Sequence, residues 1–489
     1  MGIKMDFDIG ISSLQGDHRN EIQEENSFSS LNNEKLCNKS YNVSQNSRCQ
    51  AKGRTGRRRQ KRRKCDNLQL TKIESVDSDP ILVHLCQWLS QFGFRKFAIP
   101  EVSLKAAVFS ETGRGLQAIR YISQGSKLVS IPKNALVTCR TVVSDPVLGP
   151  LIRKTKKKIR AMDVLTLFLV YHKNLGKESP WFPYIASLPK EYSVPLYCTE
   201  EETNMLPKIL QDTIERQYED IKQSEENFKF VWEELLGNKS MKVQRSDIIW
   251  GWFTVNTRAV YLENECLSCD ILNDKDVYAL APYLDLLNHT HTAEVTAGLN
   301  PVNSCYEIIT QVPYKRHEQV FINYGPHDNL KLYTEYGFIL PDNPHANIPV
   351  NFRDLITVLQ KFQCDDLRHQ IMYEKTQILK RNEMLSNICV SRSGPSWTLE
   401  AVVSILLMTP AETVHWQEVY NDLNNMVHRS LVVNFLKDFV FYLLKIWKEI
   451  EMCLSEQKDC SVAFTVSKEL VRDYCSILEL CLEKWFSAI

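Results

Sequence analysis

Two regions of short strand patterns, separated by a long helical stretch, constrain the fold more than any other feature of this sequence. Residues 99–138 alternate apolar and polar positions around a turn at Gln124-Gly125, which predicts two strands joined by tight turns. Residues 147–250 have largely helical spacing, and short strands return over about 275–340. From residue 350 to the end we find only helical patterns. The predicted class is α+β, with a β-rich core, a helical insertion within it and an all-helical C-terminal domain.

The predicted domain boundaries follow from the same patterns. Residues 1–51 are rich in Ser, Asn, Gln and Glu and lack apolar periodicity, so residues 1–75 are expected to form a disordered tail. Helical apolar spacing begins near residue 78. We therefore place the β-rich domain at 76–340 and the helical domain at 345–489.

Charge is balanced over the whole chain but unevenly distributed. There are 59 basic and 59 acidic residues, yet residues 52–64 hold 9 basic residues and no acidic one. This run predicts nuclear import, and hence a location in nucleus and cytoplasm with an import receptor as partner. Nucleic-acid binding and a solvated charge run without a partner are the alternatives. The mildly acidic remainder of the chain disfavours a general duplex-DNA binder.

Several functional classes lack their sequence signals. No uninterrupted apolar run reaches membrane-spanning length, so we expect no membrane association, and the N-terminus has no secretory pattern. The phosphate loop, the dinucleotide-binding glycine pattern, the HExxH zinc helix and the GxSxG elbow are absent. Cys266 and Cys269 supply half of a zinc site, but the spacing to His291 and Cys305 matches no common module. We expect reduced loop cysteines and no metal.

Two candidate ligand-binding segments precede and follow the helical stretch. Gly113-Arg114-Gly115 reads as a tight turn whose glycines let a ligand approach the backbone, or as an ordinary β-turn. Arg258 follows Asn256 and Thr257 in an otherwise apolar stretch that we place in a β-region. Its guanidinium is suited to a ligand carboxylate, and a structural salt bridge is the equal alternative.

Two further segments combine polar and aromatic residues. Asp285, Asn288 and His289 cluster in a run that otherwise reads as buried, which indicates either a polar ligand or a satisfied core network. Tyr324 follows a predicted strand, and Tyr336 arrives twelve residues later after a short helical segment. Either tyrosine alone would be unremarkable in a core.

Taken together and in this order, the four segments resemble the SET-domain protein methyltransferases. Within these, the chain resembles the Rubisco large-subunit methyltransferase-like class, including the segment at residues 179–192. The resemblance covers roughly residues 80–489. It implies a SET core with a pseudoknot, S-adenosyl-L-methionine as cofactor and methyl transfer to a lysine ε-amine of a histone or non-histone protein. We expect the protein to be a monomer.

The resemblance also implies residue roles. Tyr324 and Tyr336 would be catalytic, and Tyr336 and Phe338 would line the substrate channel. The implied cofactor-binding residues are Gly113, Arg114, Gly115, Arg258, Asp285, Asn288, His289 and Tyr324. Relatives often carry a small or apolar residue at the position of Arg114, so we expect backbone contacts there. A protein-histidine N-methyltransferase and a catalytically inactive SET-fold binding module are the alternative functions.

Overall fold

The computed structural model describes residues 74–75, 79–94, 104–155, 158–237, 243–262, 272, 278–362, 369–423 and 428–485. The predicted tail, its basic run and the Cys266–Cys269 pair lie outside these residues, apart from Glu74 and Ser75 at the end of the tail. No helix in the described residues is long and apolar enough to cross a membrane.

The strands are short and assemble into four small sheets. Their bounds are β1 Glu74–Ser75, β2 Leu104–Phe109, β3 Gly113–Ala118, β4 Lys127–Pro132, β5 Ala259–Tyr261, β6 Tyr278–Leu280, β7 Asn288–His289, β8 Val295–Asn300, β9 Cys305–Thr310, β10 Gln319–Ile322, β11 Asn347–Pro349, β12 Cys389–Ser391 and β13 Gly394–Pro395. Their orders are β1-β2-β3-β10-β7, β4-β9-β8, β5-β6 and β11-β12-β13.

Strands from both sides of the helical stretch pair with each other. β3 pairs antiparallel with β10, so that Gln117 lies opposite Gln319, and β4 pairs antiparallel with β9. β7 joins the far side of β10 in parallel. The predicted β-core with a helical insertion is therefore confirmed.

Helices fill the insertion and most of the C-terminal region. Their bounds are α1 Pro80–Ser90, α2 Cys139–Val143, α3 Leu148–Lys154, α4 Ala161–Leu175, α5 Phe182–Ser187, α6 Glu200–Met205, α7 Lys208–Asn227, α8 Lys229–Leu236, α9 Arg245–Arg258, α10 Asn329–Lys331, α11 Phe352–Phe362, α12 His369–Arg381, α13 Trp397–Leu407, α14 Pro410–Thr413, α15 Glu418–Asp422, α16 Arg429–Ser455 and α17 Val462–Lys484. The side chain of Asp79 caps α1 by accepting from the Ile81 N–H at 2.9 Å, and Pro80 occupies the first helical position.

The described residues form two hydrophobic cores, the first within residues 82–320 and the second mainly within residues 333–481. The first joins α1, the strands β2, β3, β4, β6, β9 and β10 and the insertion helices α4 and α9, while the second is built on α13, α16 and α17. The prediction of helices alone after residue 350 was wrong in one respect, because β12 and β13 form a hairpin that pairs with β11. These strands have three and two residues, too few to produce an alternating pattern.

Candidate functional site

The GRG segment is a strand and not the turn that its sequence predicts. The turn occupies residues 110–112, and Gly113, Arg114 and Gly115 begin β3. A Cβ at Gly115 would lie 2.5 Å from Gln319 Nε2 and 2.9 Å from Asn288 Nδ2. Glycine is required at this position because two side-chain amides of the protein itself cover it.

Asn288 ties β7 to the backbone of β3. Its Nδ2 donates to the carbonyl of Arg114 at 3.0 Å, while the β7–β10 register places it beside Phe321. His289 follows on the opposite face of the strand and is buried. The structure therefore brings the GRG strand and the Asn288-His289 pair together, as predicted.

Arg258 and Asp285 form a buried ion pair. Arg258 is the last residue of helix α9, so its predicted place in a β-region was wrong. Its Nη1 lies 3.5 Å from Asp285 Oδ2 and donates to the Asp285 carbonyl at 2.6 Å. The salt bridge that the sequence left as an alternative is present, yet Arg258 Nε is buried without a hydrogen-bond partner. A buried N–H without a partner is costly, so this atom is available to an anionic ligand.

Two other side chains complete the surroundings of Asp285. The hydroxyl of Tyr184, in α5, donates to Asp285 Oδ2 at 3.1 Å. Nη1 of Arg114 donates to the Ser187 carbonyl at the end of the same helix at 2.9 Å. Burial lowers the pKa of Arg114, and the neighbouring charge of Arg258 acts in the same direction. Arg114 thus engages the protein through its side chain as well as its backbone.

An aromatic cluster lies at the end of β10. The ring of Tyr324 lies 5.1 Å from that of His289 and 5.1 Å from that of Tyr336. Phe338 lies 6.2 Å from His289 and 6.4 Å from Tyr336. All four rings were predicted to belong to the site, and the structure brings them into one cluster.

The protonation states in this cluster follow from burial. His289 Nδ1 accepts the Tyr324 N–H at 3.0 Å, and burial lowers the pKa of His289 to about 4. The imidazole is therefore neutral near pH 7, with its proton on Nε2. The Tyr324 hydroxyl donates to the Leu287 carbonyl at 2.8 Å, and burial raises its pKa, so it stays protonated.

Several residues of the site were missed by the sequence analysis. They are Tyr184, Gln319, His327 and Glu335. The Asn256 amide contacts the side chain and the carbonyl of Glu335, next to Tyr336, and His327 stacks on Tyr336 with ring centres 6.0 Å apart. Tyr184 and Gln319 carried no signal, because their partners Asp285 and Thr112 lie 101 and 207 positions away in sequence. For Tyr184 the one available indication was its place in the segment at residues 179–192.

No group of three or more His, Cys, Asp or Glu side chains suited to a metal ion occurs within the described ranges. Cys305 is a free thiol there.

Comparison with known proteins assigns the family. No family model matches the chain. It is 34% identical over 401 residues to SET domain-containing protein 4 of Mus musculus, covering 80% of this chain and 87% of the mouse protein. For the Homo sapiens protein of the same name the identity is 33% over 417 residues, covering 83% and 90%. The chain belongs to the SET domain-containing protein 4 family.

The chain is also similar, at lower sequence identity, to one solved structure and to one lysine methyltransferase. The solved SET domain of LSMT bound to lysine and AdoHcy has a TM-score of 0.56 and 17% identity, covering 84% of this chain and 91% of that chain. The ribosomal lysine N-methyltransferase set11 of Schizosaccharomyces pombe is 26% identical over 413 residues, covering 80% and 96%. The predicted α+β SET fold with a helical C-terminal region is confirmed.

Proposed function

We propose that this chain is an S-adenosyl-L-methionine-dependent protein-lysine N-methyltransferase. One observation carries the proposal. The aromatic cluster around Tyr324 lies beside strand β7, which holds Asn288 and His289, and near the end of helix α9, which holds Arg258. Membership of the SET domain-containing protein 4 family supports it. So do the names of set11, a ribosomal lysine methyltransferase, and of the LSMT structure, which holds lysine and AdoHcy.

The residues present fit the cofactor. Arg258 Nε, buried and without a partner, is placed to receive the carboxylate of the amino-acid portion. Asp285 fixes the guanidinium from the other side. The backbone of Gly113-Arg114-Gly115 and the Asn288-His289 segment would hold the remainder. When bound, S-adenosyl-L-methionine supplies a sulfonium methyl group for in-line displacement by an amine.

The aromatic cluster suits the amine that accepts the methyl group. A lysine ε-amine has an unperturbed pKa near 10.4 and must lose its proton before it attacks. Tyr324, Tyr336 and Phe338 would desolvate the side chain, which lowers the pKa of an amine. Because the Tyr324 hydroxyl donates its proton to the Leu287 carbonyl, its oxygen is held in a fixed orientation and its lone pairs remain free to accept from an amine.

Substitution of Tyr324 tests the reaction. With labelled S-adenosyl-L-methionine and a hypomethylated protein extract, Tyr324→Phe should lower the labelling rate about 100-fold, as for the loss of one oriented hydrogen-bonding group. Calorimetry with S-adenosylhomocysteine should show little change, since the ring remains. Equal labelling by both proteins would contradict the role of Tyr324. Mass spectrometry of the labelled protein then decides between lysine and histidine as acceptor.

Substitution of Arg258 tests the cofactor assignment separately. Arg258→Lys keeps the charge but loses the forked donor geometry, so its affinity for S-adenosylhomocysteine should fall about tenfold or more. The same variant should lose little affinity for methylthioadenosine, which lacks the carboxylate. Equal losses for both molecules would show that Arg258 has a structural role alone.

We further propose that residues 52–64 direct the protein to the nucleus, so that it occupies nucleus and cytoplasm. The support is the run of 9 basic residues without an acidic one. Replacing the run with Gly and Ser should confine a fluorescent fusion to the cytoplasm. A steep salt dependence of nucleic-acid binding, abolished by the same change, would instead identify a nucleic-acid partner.

A further inference from the structure

Asn329 closes the loop that carries two of the aromatic residues. It is buried at the start of α10, where its Oδ1 accepts the Leu340 N–H and its Nδ2 donates to the Leu340 carbonyl, both at 3.1 Å. Tyr336 and Phe338 lie between these two anchored positions. The side chain of one asparagine thus holds both ends of the loop.

The same asparagine connects this loop to the C-terminal helical region. Asn329 Nδ2 donates to Asp473 Oδ2, in α17, at 2.8 Å. Asp473 Oδ1 receives Arg392 Nη2 at 2.5 Å, and Arg392 Nη1 donates to the Asn343 carbonyl at 3.0 Å. Asn343 Nδ2 donates to Asn329 Oδ1 at 3.0 Å, so the four residues form a closed hydrogen-bond network.

A second contact fixes the segment between Asn329 and Tyr336 on α17. The buried hydroxyl of Tyr333 lies 2.6 Å from Ser467 Oγ and donates to the Ala463 carbonyl at 2.8 Å. Residues Leu332–Tyr336 form a single π-helical turn, a geometry that is rare and requires support from its surroundings. Helix α17 supplies that support at two points.

We propose that Asp473, together with Asn329 and Arg392, is a positioning residue that sets the place of Tyr336 and Phe338. This inference rests on the proposed methyltransferase function. The C-terminal helical region then supports the loop that carries two of the aromatic residues through α17. Displacement of a reacting group by about 1 Å can cost about 100-fold in rate, so the alignment of the amine depends on this network.

The cofactor side of the site is held by other contacts. Arg258 is fixed by Asp285, and Asn288 is fixed by the backbone of Arg114. Neither contact involves Asp473. Loosening the network should therefore affect turnover far more than cofactor binding.

A matched pair of substitutions tests the proposal. Asp163 is a buried carboxylate that, like Asp473, binds an arginine and an asparagine amide, here Arg160 at 2.9 Å and Asn227 at 3.3 Å. Asp473→Asn and Asp163→Asn thus remove the same charge from the same kind of network. Each variant and the wild type are assayed with labelled S-adenosyl-L-methionine and a hypomethylated protein extract.

For Asp473→Asn we expect the maximal labelling rate to fall about 100-fold, while the KM for S-adenosyl-L-methionine stays within about threefold of wild type. Hydrogen exchange of the Gly337 and Phe338 amides should accelerate about tenfold or more. Asp163→Asn should change neither. Arg392→Lys, which keeps a cation beside Asp473, should retain more of the rate than Arg392→Met.

Wild-type exchange at residues 337–338 in Asp473→Asn would overturn the proposal, as would equal rate losses in Asp473→Asn and Asp163→Asn. Failure of the proposed function has a different signature. The wild type would then neither bind S-adenosylhomocysteine in calorimetry nor label any protein, and the exchange comparison would still decide whether the network positions the loop.

Discussion

At the scale of single residues, Gly115 shows how closely the site is packed. A Cβ there would meet Gln319 Nε2 at 2.5 Å and Asn288 Nδ2 at 2.9 Å. Gly115→Ala should therefore displace both amides, at a cost of about 1–2 kcal/mol in unfolding free energy and about tenfold in S-adenosylhomocysteine affinity. Denaturant titration and calorimetry measure the two effects. Gly298→Ala is the control, because a Cβ added there would have no atom beyond its chain neighbours within 4 Å. It should leave the affinity unchanged.

His289 predicts a pH dependence of stability. Its folded pKa is about 4, whereas an unfolded histidine titrates near 6.5. Between these pH values the unfolded chain binds the extra proton, so the free energy of unfolding should fall as pH falls from 6.5 to 4. His289→Gln, which can still accept from the Tyr324 N–H, should make this decline shallower. Burial also lowers the pKa of His327, so part of the decline should remain. An unchanged slope would contradict the assignment.

The sequence identified the residues of the site better than their partners. Tyr324, His289, Arg258 and Asn288 were predicted from the family resemblance that the order of their motifs carries. That His289 accepts from the Tyr324 backbone could not be predicted, since the two residues are 35 positions apart. Such contacts depend on strand register, which the sequence of one strand does not determine.

At the scale of elements, the predicted types were more reliable than their ends. The interrupted β-core and the helical insertion are present, but the GRG glycines lie on a strand and Arg258 lies on a helix. The two glycines predicted a turn at Gly113, while the true turn at residues 110–112 contains no glycine. Pairing with β10 and with Asn288 determines this outcome, and both partners are distant in sequence.

Helix α6 makes an element-scale prediction through Glu202. This buried carboxylate accepts from the Thr199 N–H of its own helix cap at 2.9 Å and from the Ser461 N–H, at the start of α17, at 2.7 Å. Glu202→Ala leaves both donors without a partner and should cost about 2–4 kcal/mol, measured by urea unfolding. Glu201→Ala, on the exposed face of the same turn, should change the free energy of unfolding by less than about 0.5 kcal/mol. If Glu202→Ala changed the free energy of unfolding as little as Glu201→Ala, the contact of Glu202 with Ser461 would contribute nothing measurable to stability.

At the scale of the whole molecule, the second hydrophobic core includes residues from earlier segments of the chain. Leu206 and Leu210, from the insertion helices, and Tyr333, from the site, pack in the second core with α13, α16 and α17. The sheets add a second constraint, because β3–β10 joins residues just over 200 positions apart and β4–β9 joins residues about 170 to 180 positions apart. We therefore expect the two cores to unfold together, because the second core is incomplete without residues of the insertion and of the site segment.

Tryptophans report on the two cores separately. Trp88, Trp181, Trp232, Trp250 and Trp252 are in or against the first core, and Trp416, Trp447 and Trp485 pack against the second. We predict that variants retaining one set, with the other set and the exposed Trp397 replaced by Phe, have the same urea midpoint. Leu210→Ala removes a fully buried side chain at a cost of about 2–5 kcal/mol and should lower both midpoints equally, although Leu210 lies in the insertion. Met205→Ala, at an exposed position nearby, should shift neither urea midpoint by a comparable amount.

Two outcomes would contradict this prediction. They are two different midpoints for the two tryptophan variants when Leu210 is retained, and a shift on Leu210→Ala that is confined to one variant. Either would show that the cores unfold independently and that the second does not support the site.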